Sequence, residues 1–176
     1  MRWAWAWGGL GPDATLREAR ESMEEALGEG DGATCPCCGS WNRVYRRRLN
    51  RAKVRELLAI YRWADEHDSL YDYLHVPSTG ISLRNREYPK LRWWGLIEAR
   101  EAESGGGVSS GEGTGWWRLT PQGVAFVRGE VRLPNRVLEF RSRVVGWDVE
   151  AVAVDVHAAL RDTSVDPDER EEGDEG

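Results

Sequence analysis

Apolar positions recur at three- and four-residue spacing in two stretches of the chain. Between residues 51 and 66, Val54, Leu57, Leu58, Tyr61 and Ala64 form one stripe, as in a helix with one buried face. Asn50 stands where an N-cap is expected, and Arg51, Arg55 and Arg62 fall off the stripe. Residues 14–27 repeat the pattern with Leu16, Ala19, Met23, Ala26 and Leu27, capped by Asp13 or Thr15. Gly28, Gly30 and Gly32 then break it. After His67 and Asp68, Ser69 can cap a short helix over 70–75, and Pro77-Ser78-Thr79-Gly80 reads as a turn. A further helix is expected to end at Trp94, with Leu91 and Trp94 toward the core and Tyr88 beside them. Its start is set by Pro89, whose ring clashes with the carbonyl of Asn85. The helix therefore begins near Arg86, or is kinked. Gly95 ends it as a left-handed cap.

The second half switches to strand-like runs. Residues 96–100 predict a strand, residues 103–115 a mobile Gly- and Ser-rich loop, and Trp116-Trp117-Arg118-Leu119 the returning strand. Thr120 caps a short helix with Pro121 in its first position, a placement that suits proline. That helix carries Val124, Ala125 and Val127 and ends at Gly129. Strands follow at 136–140 and 143–147, although Arg141-Ser142 is not a favoured hairpin pair. A last helix is expected within 149–161, and 165–176, nearly all charged or small, is expected to be disordered.

Helix, short helix, turn, helix, strand, long loop, strand is the plan of a winged helix-turn-helix. Three helices bury one core and leave the third free to enter a major groove, with the hairpin loop as a wing. The expected fold class is therefore α+β. A winged helix-turn-helix over 49–147 would follow an N-terminal helix and cysteine segment over 1–48. A helix over 148–164 and an acidic tail over 165–176 would complete the chain. The third helix brings Arg84, Arg86, Lys90 and Arg92. Arg86, Lys90 and Trp93 are spaced to share the face opposite Leu91 and Trp94.

Charge sharpens this picture. The net charge of −6 conceals a basic middle. Residues 1–40 have net charge −4, residues 41–147 have +7, and residues 148–176 have −9. A basic segment between acidic ones is the pattern of a domain that meets phosphate. The run Arg46-Arg47-Arg48, with Arg51 after it, would grip a nucleic-acid backbone. No apolar run approaches the roughly 20 residues of a membrane span. The cysteines are clustered rather than arrayed in pairs, so a reducing cytoplasm is expected and no membrane partner.

Cys35-Pro36-Cys37-Cys38-Gly39 holds a C-x-x-C whose ends, Cys35 and Cys38, suit two ligands of a tetrahedral zinc. His67, His75 and Cys37 are the softer candidates for the rest of the set. A pair of reduced structural thiols is the alternative. No phosphate loop, dinucleotide-binding glycine pattern or H-E-x-x-H is present, so no enzyme activity is expected.

Two segments resemble known regulators. Lys90-Leu91-Arg92-Trp93-Trp94-Gly95-Leu96-Ile97 is similar to the end of a recognition helix. Trp117-Arg118-Leu119-Thr120-Pro121-Gln122-Gly123 is similar to the second wing strand entering the next helix in MarR-like and PadR-like proteins, with Trp117 for the usual tyrosine. Over about residues 15–160 the chain also resembles a group of uncharacterised phage and prophage proteins. In that group a C-P-x-C-G turn precedes a basic stretch, here Tyr45-Arg46-Arg47-Arg48-Leu49, and then the winged helix. The resemblance implies a phage origin and hence a host-cell cytoplasm; it implies no biochemical activity. Taken together, the expectation is a phage transcriptional regulator that binds double-stranded DNA, with a homodimer the form that would read paired half-sites. Arg46, Arg47, Arg48, Arg51, Arg84, Arg86, Lys90 and Arg92 would be its contact residues. The rival is a protein-interaction module anchored by Trp93, Trp116 and Trp117. A third reading is a structural winged helix within a larger assembly.

Overall fold

The structure, a computed structural model, describes residues 14–29, 32–100 and 115–164. The expected wing tip and acidic tail therefore lie mostly outside the described residues. By its internal contacts the chain divides into two compact units. One is residues 1–45 with 139–142, and the other is residues 46–138 with 143–176. The overall class is mixed α and β, with several helices and small antiparallel sheets.

In the first unit, helix α1 spans Leu16–Glu29. Its start is a reciprocal capping box. Glu18 N–H donates to Thr15 Oγ1 at 3.3 Å, and Thr15 N–H donates back to the Glu18 carboxylate at 2.7 Å. The Thr15 N–H and then the Thr15 hydroxyl, which donates to the same carboxylate at 2.8 Å, hold the Glu18 carboxyl below the usual range. Leu16, expected on the apolar stripe, is instead 79% exposed, and Ala19 is the buried member. Strands β1 (Ala33–Thr34) and β2 (Trp41–Asn42) pair antiparallel, Ala33 opposite Asn42, and carry the cysteine turn between them.

Residues Arg141 and Ser142 both take left-handed backbone angles, φ 50° and 61°. This is what a two-residue primed hairpin turn demands, at about 1–2 kcal/mol for each residue with a Cβ. Local contacts offset that cost. Ser142 N–H donates to the Glu139 carboxylate, and the Arg141 guanidinium donates to Asn42 Oδ1 at 2.8 Å.

Strand β3 (Tyr45–Arg48), where only a basic run was expected, leads into the second unit, which begins at Arg46. Helix α2 then spans Arg51–Glu66, with Asn50 Oδ1 accepting the Lys53 N–H as its cap. The short helix expected over 70–75 does not form. Ser69 Oγ donates to Ala64 O and helps close α2. Strand β4 (Leu74–His75) follows, with one 3-10 turn at Val76–Ser78. The next helical segment, Tyr88–Trp94, is 3-10 throughout. Pro89 lies in its first turn, and its missing N–H and ring clash keep an α-helix from entering from Arg86. Gly95, at φ 64°, ends the segment in the left-handed conformation.

Strand β5 (Ile97–Ala99) pairs with β6 (Trp116–Leu119), and β4 pairs with the other edge of β6, giving the order β4-β6-β5. Helix α3 (Pro121–Val127) is capped by Thr120, whose Oγ1 accepts Gly123 N–H at 2.9 Å and donates to Gly95 O at 2.5 Å. Gly123 is required here: a Cβ would stand 2.0 Å from Leu96 O. Strand β7 (Leu133–Pro134) precedes β8 (Arg136–Phe140) and β9 (Arg143–Trp147), both at the expected bounds. Their sheet has the order β3-β8-β9, with β9 at an edge. Of the helix expected within 149–161, only α4 (Val156–Arg161) is helical. Asp155 caps it, and the preceding β10 (Ala153–Val154) pairs with β7 instead.

The core of this unit gathers around Trp94 and Trp117. Trp94 is 1% exposed, and its Nε1 donates to Pro134 O at 2.8 Å. Burying such a ring contributes roughly 4–6 kcal/mol from area alone. Trp117 packs edge-on against Tyr88, with centroids 5.8 Å apart. Among the described residues no helix is long and apolar enough to cross a membrane.

Candidate functional site

The buried stripe of α2 includes two charged residues. Lys53 is 1% exposed and Glu56 is 5% exposed. Lys53 continues the row formed by Leu57, Ile60 and Ala64, at i+4, i+7 and i+11. Its ammonium lies 3.5 Å from Glu87 Oε2, and Lys90 reaches the same oxygen at 2.9 Å. Glu56 does different work. Its Oε1 accepts the Asn85 N–H at 3.0 Å, just ahead of the 3-10 helix. Burial pushes the Glu56 carboxyl above the usual range, and the backbone N–H groups of Asn85, Tyr88, Glu87 and Arg86 partly counter that. Arg86 at φ 52° turns this stretch of backbone. Successive amides in such a turn form a concavity suited to a carboxylate. The loop that presents Arg84 and Arg86 is thus anchored to α2 from below.

The structure divides the expected contact residues into two groups. Arg46 lies 3.9 Å from the buried carboxylate of Asp148. Arg47 is half-buried, its guanidinium 5.9 Å from the centroid of Trp93. Arg48 lies 3.7 Å from Asp162. Arg51 Nε donates to Leu160 O at 2.7 Å. Lys90 is drawn to Glu87, and Arg92 is half-buried in the last turn of the 3-10 helix. Arg84 and Arg86 are exposed. Because the helical segment starts at Tyr88, Arg86 is not on it, so the expected common helical face of Arg86, Lys90 and Trp93 does not exist. Trp117, an expected anchor, is core, whereas Trp116 is 38% exposed.

Beside Arg84 a groove of about 670 Å³ opens at the head of α2. Arg51, Lys53 and Arg55 line it from the helix, Ser82, Arg84 and Asn85 from the loop, and Asp162, Thr163 and Ser164 from the segment after α4. Arg55 was not expected at the site. It stands one residue from Glu56 and, like Arg84, is exposed.

The cysteine turn is tightly closed. Cys35 N–H donates to Ser40 O at 2.7 Å, and Gly39 N–H donates to Cys35 O at 2.9 Å. Cys38 Sγ lies 3.0 Å from Ser40 Oγ. Hydrogen bonds from Ser40, then Cys35, draw the Cys38 thiol down, while desolvation and then Cys35 push the Cys37 thiol up. Of the softer ligand candidates, His67 Nδ1 meets Trp63 O at 2.7 Å and His75 Nδ1 meets Ser78 Oγ at 2.5 Å. Among the described residues no three His, Cys, Asp or Glu side chains are grouped to hold a metal.

No protein-family model matches the chain, and no curated protein or solved structure matches it either.

Proposed function

We propose that the second unit is a winged helix-turn-helix module that binds duplex DNA, most simply as a phage transcriptional regulator. The observation that carries the reading is the order and pairing of its elements. Helix α2, the Val76–Ser78 turn and the Tyr88–Trp94 segment are followed by β5, a long connection and β6, with β4 completing the sheet. The exposed cations Arg84 and Arg86 precede the third helical segment, where a groove-entering element would meet phosphate. Arg46, Arg48, Arg51 and Lys90 act in this reading mainly through the scaffold, since each has an acidic or carbonyl partner in the fold.

The test is selection from random duplexes with the full chain, followed by a salt titration on the selected site. A winged helix making several phosphate contacts loses affinity steeply as salt rises. A palindromic selected site would also reveal a homodimer, since paired half-sites mirror protein symmetry. Arg84→Ala with Arg86→Ala should weaken duplex binding at least tenfold while leaving the fold intact, from roughly 1–3 kcal/mol per specific contact. Undiminished affinity in the folded double variant would remove these residues from the interface.

One observation favours the rival reading, a protein-interaction module. Edge strand β9 and its continuation expose Val144, Val145, Trp147, Val149 and Val152. Exposed apolar side chains along an unpaired strand edge suit contact with another protein. Binding of a protein ligand that is insensitive to salt, with no duplex selected, would decide for it. We also infer that Cys35 and Cys38 supply half of a tetrahedral zinc site, supported by their spacing and the closed turn.

A further inference from the structure

We propose that the acidic segment 165–176 docks in cis on the groove at the head of α2, lying against Arg55 and Arg84. Its effect as a competitor of DNA rests on the reading above; the docking itself does not.

The first ground is where the chain is delivered. Ser164 lines the groove and is pinned there: Asn50 Nδ2 donates to Ser164 O at 2.9 Å. Arg51 N–H donates to Asp162 O at 2.8 Å, and Ser164 N–H donates to Asp162 Oδ1 at 2.9 Å. The described chain is therefore held at the groove wall as far as Ser164. The second ground is charge. Residues 165–176 hold seven carboxylates and one arginine. The acids already in the groove are engaged by the fold: Asp162 with Arg48, Glu87 with Lys53 and Lys90, and Glu56 with the Asn85 amide. Arg55 and Arg84 face the same space and are exposed.

Reach is the third ground. Asp166 is two residues past Ser164, a separation that extended backbone cannot stretch beyond about 7 Å between Cα atoms. Twelve residues span up to about 40 Å, several times the width of a 670 Å³ groove. A tethered segment of this length sits near its own site at an effective concentration on the order of millimolar. Even individually weak carboxylate–guanidinium contacts are then occupied at low salt, and screening releases them. Because Arg84 is also a proposed phosphate contact, the docked segment would weaken binding to random duplexes more than binding to a selected site. Base contacts offset the competition only in the latter.

The experiment uses the full chain and a full-length variant whose seven carboxylates at 166, 168, 169, 171, 172, 174 and 175 are changed to Asn or Gln. NMR of the arginine Nε–Hε groups, at low and high salt without DNA, reads docking directly. Docking requires the Arg55 and Arg84 resonances to shift between the two chains at low salt and to converge at 0.5 M salt, on the order of ten times the ionic strength at which the pair is weakly screened. Identical Arg55 and Arg84 resonances at low salt would overturn the proposal. Random-duplex affinity at low salt should rise about tenfold in the amide variant. If the resonances shift but neither chain binds duplex, docking stands and the DNA reading fails.

Discussion

Glu56 offers the sharpest test of how the site is built. Its carboxylate is 5% exposed, holds the Asn85 N–H and faces the amides that follow it. Glu56→Ala removes that acceptor and leaves the part-buried Asn85 N–H without it, at about 1–3 kcal/mol for the group. The lost side-chain packing adds to this. A chain of this size moves about 2–4 °C per kcal/mol, so the variant should melt roughly 4–8 °C lower. Glu56→Gln isolates the charge. Burial raises the folded carboxyl above its unfolded value, so its stabilising share is complete below the unfolded value and is lost as pH rises through the folded one. The wild-type chain should therefore lose stability relative to Glu56→Gln as pH rises above the ordinary carboxylate range, whereas the amide variant carries no such dependence at this position. Melting curves of both chains across that range, taken as a difference, cancel the other titrating groups. Parallel pH profiles, or an unchanged melting temperature in Glu56→Ala, would refute the account of Glu56 as a buried anchor of the Arg84–Arg86 loop.

Gly123→Ala would place a Cβ 2.0 Å from Leu96 O, a backbone atom that cannot swing aside; a loss of at least 3 kcal/mol is expected by urea unfolding, on the scale of a severe packing error. Protein purified without chelator should contain about one zinc per chain or per two chains by elemental analysis, and Cys35→Ser should lower its melting temperature, since structural zinc contributes directly to folding. Metal-free protein with undiminished stability would leave the cysteines as reduced thiols.

Residues 51–66 are legible as a helix because everything that specifies it is local: an apolar stripe, an Asn50 cap and no internal Gly or Pro. The Thr120-Pro121 helix start and the strands at 136–140 and 143–147 are legible for the same reason. The turn joining those strands was not. Arg141 and Ser142 tolerate left-handed angles through Glu139 and, at a separation of 99 residues, Asn42. Leu74–His75 reads locally as helix, yet it is a strand because Trp116 and Trp117, some forty residues later, supply its partners.

The candidate site divides along the same line. The order of residues is enough to locate the cations and to show that the middle of the chain carries net positive charge. Which of them meet an acidic partner is settled by contacts distant in sequence. Asp148 and Asp162 come from the far end of the chain to meet Arg46 and Arg48, and Glu87 meets Lys53 across a loop. Lys53 and Glu56 were hidden because charged side chains are presumed exposed, although both continue the spacing of the apolar row. Periodicity records which face of a helix is covered. Whether a charge on that face is tolerated depends on a counter-ion or a set of amides arriving from elsewhere, and that is a property of the folded chain.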